Sequence, residues 1–156
     1  MRISLIVALA AARAASACAQ GLPVTKELRL DALIGNRPAV EVGASLIVPG
    51  GVYSRTALTA ATGVAWRAGT SESATRVEVV SRFLLDPFRE SPYGLSIGGG
   101  LGITNAPVGS RWRPYLALVV DLEGARSGGL TPAVQLGLGG GARLGIVLRS
   151  GVDRWR

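Results

Sequence analysis

The sequence predicts an all-β fold, an antiparallel up-and-down meander of about eight strands closed into a barrel, following an N-terminal signal peptide. Three observations carry this expectation. Apolar and polar residues alternate with a period of two over most of the chain, the mark of strands with two unlike faces. Short glycine-containing turns suited to hairpins separate the alternating segments. No charged residue falls on the apolar register of any proposed strand, so one face of the sheet is continuous hydrocarbon.

At 156 residues the chain is long enough for one domain and no more. Its start, MRISLIVALAAARAASACAQG, has a positive residue (Arg2), an apolar run from Ile3 to Ala12 and small residues around Ala17-Cys18-Ala19. This is the layout of a signal peptide over 1–19, leaving a barrel domain over 20–156. Cys18 is also a possible lipid-modified N-terminus, although the usual Leu three residues before it is absent. The ten-residue run is too short to span a bilayer as a helix, and no later segment supplies one. Cys18 is the only cysteine, so neither a disulfide nor a thiolate metal cluster is expected.

The strands follow in order. Leu28, Leu30, Ala32 and Ile34 alternate with Glu27, Arg29 and Asp31, and Val40, Val42, Ala44, Leu46 and Val48 with Glu41, Gly43 and Ser45; Gly35-Asn36-Arg37 turns between them. After Pro49-Gly50-Gly51, a long third strand over 52–68 places Leu58, Val64 and Trp66 opposite Tyr53, Arg55, Thr59 and Arg67. Beyond the turn at 69–72, Val77, Val79, Phe83 and Leu85 alternate with Arg76, Glu78 and Arg82; a helix capped by Ser73 competes, but the β-branched residues favour a strand.

In Tyr93-Gly-Leu-Ser-Ile-Gly-Gly-Gly-Leu-Gly-Ile103 the apolar residues hold one register, with Gly99 the single gap, and Gly94, Ser96, Gly98, Gly100 and Gly102 the other, so the glycines form one side of a strand. Trp112, Leu116, Leu118, Val120 and Leu122 continue the scheme opposite Arg113, Tyr115, Ala117 and Asp121, with Pro114 suited to a strand end. The last hairpin puts Val134, Leu136 and Leu138, then Leu144, Ile146 and Leu148, opposite Gln135, Arg143, Gly145 and Arg149 about Gly139-Gly140-Gly141. Turn lengths support the scheme: the three-residue turns keep face parity and the turn at 69–72 switches it.

A soluble barrel hides its apolar face, whereas a membrane barrel shows it to lipid. The polar register here is Gly, Ala, Ser and Thr with scattered charges. A water-facing surface is about a quarter to a third charged, so this register suits a narrow interior instead. Arg29, Glu41, Arg55, Arg76, Glu78, Arg82, Arg113, Asp121 and Arg143 are then expected as a charge network in the lumen. On this register Arg outnumbers acid, and the excess needs water or carbonyl partners. Strands alternating up and down would place Trp66 and Trp112 near one rim and Tyr93 and Trp155 near the other, as membrane interfaces prefer.

Over roughly residues 27–149 the chain resembles the small eight-stranded outer-membrane β-barrel families. The resemblance is of pattern, without a diagnostic motif. Those families usually end in an aromatic residue, whereas Trp155 here lies one place early. It implies export, a place in the bacterial outer membrane and lipid as the partner.

Catalytic and cofactor signals are weak. The absence of histidine removes imidazole bases and His-based metal sites. Gly137-Leu-Gly-Gly-Gly-Ala142 matches the dinucleotide fingerprint but lacks the helix, second strand and later acid that it needs. SIGGGLG lacks the Lys and Ser/Thr of a phosphate loop. An acid pair such as Glu41 with Glu78 is more simply a partner for arginine. No cofactor or metal is expected, nor nucleic acid, despite a net charge of +7 carried by scattered Arg. The function expected is non-catalytic: an outer-membrane barrel with a structural, surface-contact or narrow solute-passage role. The alternative is a soluble periplasmic β-barrel with an apolar ligand inside.

Overall fold

A computed structural model describes residues 24–35, 37–88, 90–105, 112–125 and 129–150. The expected signal peptide, Cys18, Asn36, Trp155 and parts of the three longer loops lie outside the described residues. Eight strands run in chain order: β1 (Thr25–Ile34), β2 (Ala39–Pro49), β3 (Ser54–Arg67), β4 (Thr70–Leu84), β5 (Gly94–Thr104), β6 (Arg113–Glu123), β7 (Leu130–Leu138) and β8 (Ala142–Ser150). Each pairs antiparallel with the next, and β1 closes on β8 from Lys26↔Ser150 to Ile34↔Ala142. Closure leaves no sheet edge running the length of the molecule.

The two faces divide as the alternation requires. Leu95, Ile97, Leu116, Leu118 and Leu144 point outward and stay 41–73% exposed, while Glu27, Arg29, Asp31, Glu78 and Asp121 are no more than 3% exposed. The segment over 70–84 is a strand, and the competing helix is absent there. Several boundaries differ from expectation. The β3–β4 turn is the pair Ala68-Gly69, with φ of 45° and 84°, in place of 69–72. Positive φ at both central residues gives the twist that suits a two-residue hairpin, and parity still switches. β1 begins at Thr25, which puts the charge of Lys26 on the outward register at its very end.

The glycines of β5 have two uses. A Cβ on Gly100 would overlap the Val79 carbonyl of the neighbouring strand, so that residue permits close backbone approach. A Cβ on Gly102 would overlap the ring of Tyr115, and one on Gly145 in β8 would overlap the carboxylate of Asp31. Bare backbone on the inner face thus gives large side chains their room.

The barrel is cut obliquely at the mouth formed by the β1–β2, β3–β4, β5–β6 and β7–β8 turns. The β6–β7 ladder, the shortest in the barrel, begins at Leu118↔Leu138, whereas β5–β6 continues to Thr104↔Arg113. The β2–β3 ladder ends at Ala39↔Ala65, whereas β3–β4 continues to Arg67↔Thr70. The wall is therefore high over β3–β6 and low over β7, β8, β1 and β2.

Prolines fit the short seam. The Leu116 carbonyl faces Gly139, and by period two Pro114 faces the same side, where its missing N–H breaks no β7 bond. At the other end the Gly124 N–H donates to the Pro132 carbonyl at 2.8 Å, just past the last pair Glu123↔Ala133.

Neighbouring glycines should respond oppositely to one methyl group. Gly100→Ala should lower unfolding free energy by about 1–3 kcal/mol through overpacking. Gly99→Ala, whose Cβ would meet neighbours no nearer than 3.4 Å, should be neutral or slightly stabilising. Urea titrations of the two variants measure the difference.

Candidate functional site: the ionic interior and its open mouth

Two clusters fill the lumen, joined through Arg29. In the first, Arg76 of β4 donates to Glu41 at 2.8 Å, is paired with Asp31 and lies 3.1 Å from Glu78. Arg143 of β8 donates through one nitrogen to both oxygens of Glu78, at 3.0 and 2.9 Å, and the Tyr115 hydroxyl donates to the same carboxylate at 2.9 Å. In the second, Glu27 accepts from Arg149 at 2.8 Å, from Arg82 at 3.4 Å and from Ser45 at 3.1 Å. Arg149 also meets Asp121 and Glu123, both at 2.7 Å, and Arg55 meets Glu123 at 2.6 Å. Arg29 donates to Asp31 at 2.8 Å and to the Gln135 carbonyl oxygen at 2.5 Å, and reaches Glu27 at 3.5 Å and Glu78 at 3.7 Å.

Among the described residues the interior is electrically balanced. Arg29, Arg55, Arg76, Arg82, Arg143 and Arg149 face Glu27, Asp31, Glu41, Glu78, Asp121 and Glu123, six against six. The excess of arginine read from the sequence is not found there, for two reasons. Glu123 belongs to β6, not to the following loop, and points inward two residues after Asp121. Arg67 and Arg113 hold inward register positions yet stand exposed, because they lie on the high wall with no strand opposite them among the described residues. Arg113 therefore lies apart from the network in which the sequence placed it. Arg29, Glu41, Arg55, Arg76, Glu78, Arg82, Asp121 and Arg143 lie together inside.

Above the first cluster the mouth opens into a cavity of ≈ 220 Å³. Leu33, Ala39, Ala65 and Ala74 form apolar walls, Glu41 and Arg76 the floor, and Gly139-Gly140-Gly141 the low side. The ring of Tyr115 stands just inside those glycines. Below this cavity the ionic clusters close the lumen, with paired side chains mostly 0–4% exposed.

Aromatic residues mark both ends on the outside. Trp66 and Trp112 lie at the oblique mouth, 44% and 50% exposed, and Tyr93 lies at the opposite end, 61% exposed. Three further aromatics join Tyr93's end. Phe83 is exposed near the end of β4, and Tyr53 and Phe88 meet edge to face with centroids 6.1 Å apart. Tyr53, read from the sequence as an inward residue of β3, precedes the strand and faces outward at 58% exposure. Along β4, Ser71, the partner of Trp66, and Phe83 are twelve residues apart. At ~3.3 Å per residue and a tilt of ~40° this is about 30 Å along the barrel axis, near the ~25 Å apolar band plus girdles of a membrane barrel.

Shape places the chain in a class. No protein-family model matches the sequence, and no curated protein matches it. Solved structures do. Neisserial surface protein A aligns with a TM-score of 0.58 at 11% identity, over 83% of this chain and 96% of that one. A de novo designed transmembrane β-barrel aligns with a TM-score of 0.58 at 13% identity, over 83% and 95%. The Yersinia pestis outer membrane protein Ail, in a phospholipid bilayer nanodisc, aligns with a TM-score of 0.50 at 11% identity, over 82% and 99%. The fold is that of the small eight-stranded outer-membrane barrels. At these identities shape does not transfer a role, and the designed barrel illustrates why.

Removing one central cation should be costly. Arg76→Met leaves Asp31, Glu41 and Glu78 short of a partner and should cost about 3–5 kcal/mol. Arg113→Gln should stay within about 0.5 kcal/mol. Denaturant unfolding of both variants checks this, and equal effects would show that the network does not hold the interior.

Proposed function

We propose that this chain is an exported outer-membrane β-barrel, its leader removed from residues 1–19, with a non-catalytic structural or surface-contact role and a lumen sealed by ion pairs. The observation that carries the reading is the inverted polarity: large apolar residues cover the outside while twelve ionised groups crowd the inside. A soluble monomer rarely exposes an apolar patch beyond ~300–600 Å², and here the apolar surface runs around the whole circumference. Lipid is the medium in which such a surface is stable, and a closed barrel leaves no strand edge unpaired along its length.

The exposed aromatics at both ends support the same orientation, with Trp66 and Trp112 in one interface and Tyr53, Phe83, Phe88 and Tyr93 in the other. The charged centre of the barrel and its outward leucines support the membrane reading over a soluble carrier of an apolar ligand.

The sealed lumen argues against free solute flow. An eight-stranded barrel has about enough room for its own side chains, and here Arg and Glu take it. The non-catalytic reading rests on a sequence without histidine and on buried carboxylates engaged by arginine.

Expression in a Gram-negative host should place the protein in the membrane fraction, extractable only with detergent, with boiled and unboiled samples migrating differently on a gel. Reconstituted in planar bilayers, it should show no steady conductance. Recovery from the water-soluble fraction would remove the membrane reading. A stable open channel would remove the sealed lumen while leaving the barrel in the membrane.

A further inference from the structure

We propose that the oblique mouth binds one single-chain anionic amphiphile, its alkyl tail in the ≈ 220 Å³ cavity and its carboxylate or phosphate head among the arginines of the rim. The inference rests on the membrane reading above and goes beyond it by naming a site and a ligand class. Three features of the mouth converge on that chemistry.

The first is the lining. Leu33, Ala39, Ala65 and Ala74 give carbon walls, and Ala39, Ala65 and Ala74 pack together with Leu33 against them. The floor offers no unmatched charge, because Arg76 and Glu41 bond each other at 2.8 Å. A cavity of this size is smaller than the ~300–1,000 Å³ of ordinary small-molecule pockets, so it suits one chain in preference to a two-chain lipid.

The second is the entrance. The wall is lowest at Gly139-Gly140-Gly141, beside Leu116, which is 73% exposed. Trp112, just before β6, precedes Leu116 by four residues, or about 10 Å toward the mouth along the axis at ~3.3 Å per residue and a tilt of ~40°. If Trp112 marks the lipid interface, the glycine sill sits below it, level with acyl chains. A chain end can pass over the sill from the apolar outer face without crossing water.

The third is charge. Arg37 lines the cavity. Arg67 and Arg113 are each one inward position above a lining residue, Ala65 and Tyr115, at a spacing of about 7 Å. Glu72, one inward position above Ala74, is the acid at this level among the described residues. Two exposed guanidiniums, those of Arg67 and Arg113, against one carboxylate among the described residues favour an anionic head.

The test uses the full-length mature barrel in nanodiscs of deuterated zwitterionic lipid, with laurate, dodecyl phosphate and dodecyltrimethylammonium as probes. Methyl NOEs from probe chains to Ala39, Ala65 and Ala74 are expected with both anions and weakly with the cation. Laurate affinity should fall about two- to fivefold in each of Arg67→Gln and Arg113→Gln, as for single exposed charges. In Ala74→Phe the cavity contacts should vanish while heat-modifiable migration persists.

Two results would overturn the proposal: anionic probes that touch only outward methyls such as Leu136, or equal binding of the cationic chain. If, in matched nanodiscs of protonated lipid, the outward leucines show no NOE to acyl chains, the membrane reading fails and this inference falls with it. Selective binding of one anion assigns the head group as carboxylate or phosphate.

Discussion

The structure depends on one constraint: every ionised group buried in the lumen must find an opposite charge inside a cylinder only eight strands around. Twelve such groups, six of each sign, do so among the described residues. Burying an ion pair is no certain gain, because desolvation offsets much of the attraction. The pairs make sense here because the other face of every strand is hydrocarbon, which leaves the axis as the place for charge. Breaking a pair leaves an uncompensated ion, so the network acts more as a condition on folding than as a source of stability.

That condition shapes the rest of the inner surface. Six guanidiniums, six carboxylates and the Tyr115 ring do not fit unless other inward positions are small. The glycines at 102 and 145 give up their side chains to Tyr115 and Asp31 directly. The alanines at 57, 61, 65, 74 and 117 keep the remaining wall thin. The ions also end short of the oblique mouth. There the wall rises on one side only, which leaves an apolar-walled cavity below exposed arginines.

Much of this was legible in the sequence, because a period of two separates the faces without knowledge of contacts. Leu28-Arg29-Leu30-Asp31 and Gly94-Leu95-Ser96-Ile97 state which side each residue takes, and short turns fix the order of the strands. What failed to show was the relative height of the strands. Glu123 was hidden because β6 runs one residue past its apolar run, and Arg113 was misplaced because the register between β6 and β7 has no sequence signature. The same uncertainty about strand ends put Tyr53 inside and missed Lys26 on the outer register. The cavity at the mouth follows from strand stagger alone, so alternation gave no hint of it.

The central claim is the direction of the two faces, and Ile146→Arg tests it most directly. Ile146 sits at the middle of β8, 59% exposed, between Leu30 and Val134. In a barrel that faces lipid there, folding into bilayer vesicles should become about 2–4 kcal/mol less favourable, read from urea titration of vesicle-bound protein. A change within about 0.5 kcal/mol, as for a residue facing water, would contradict the account.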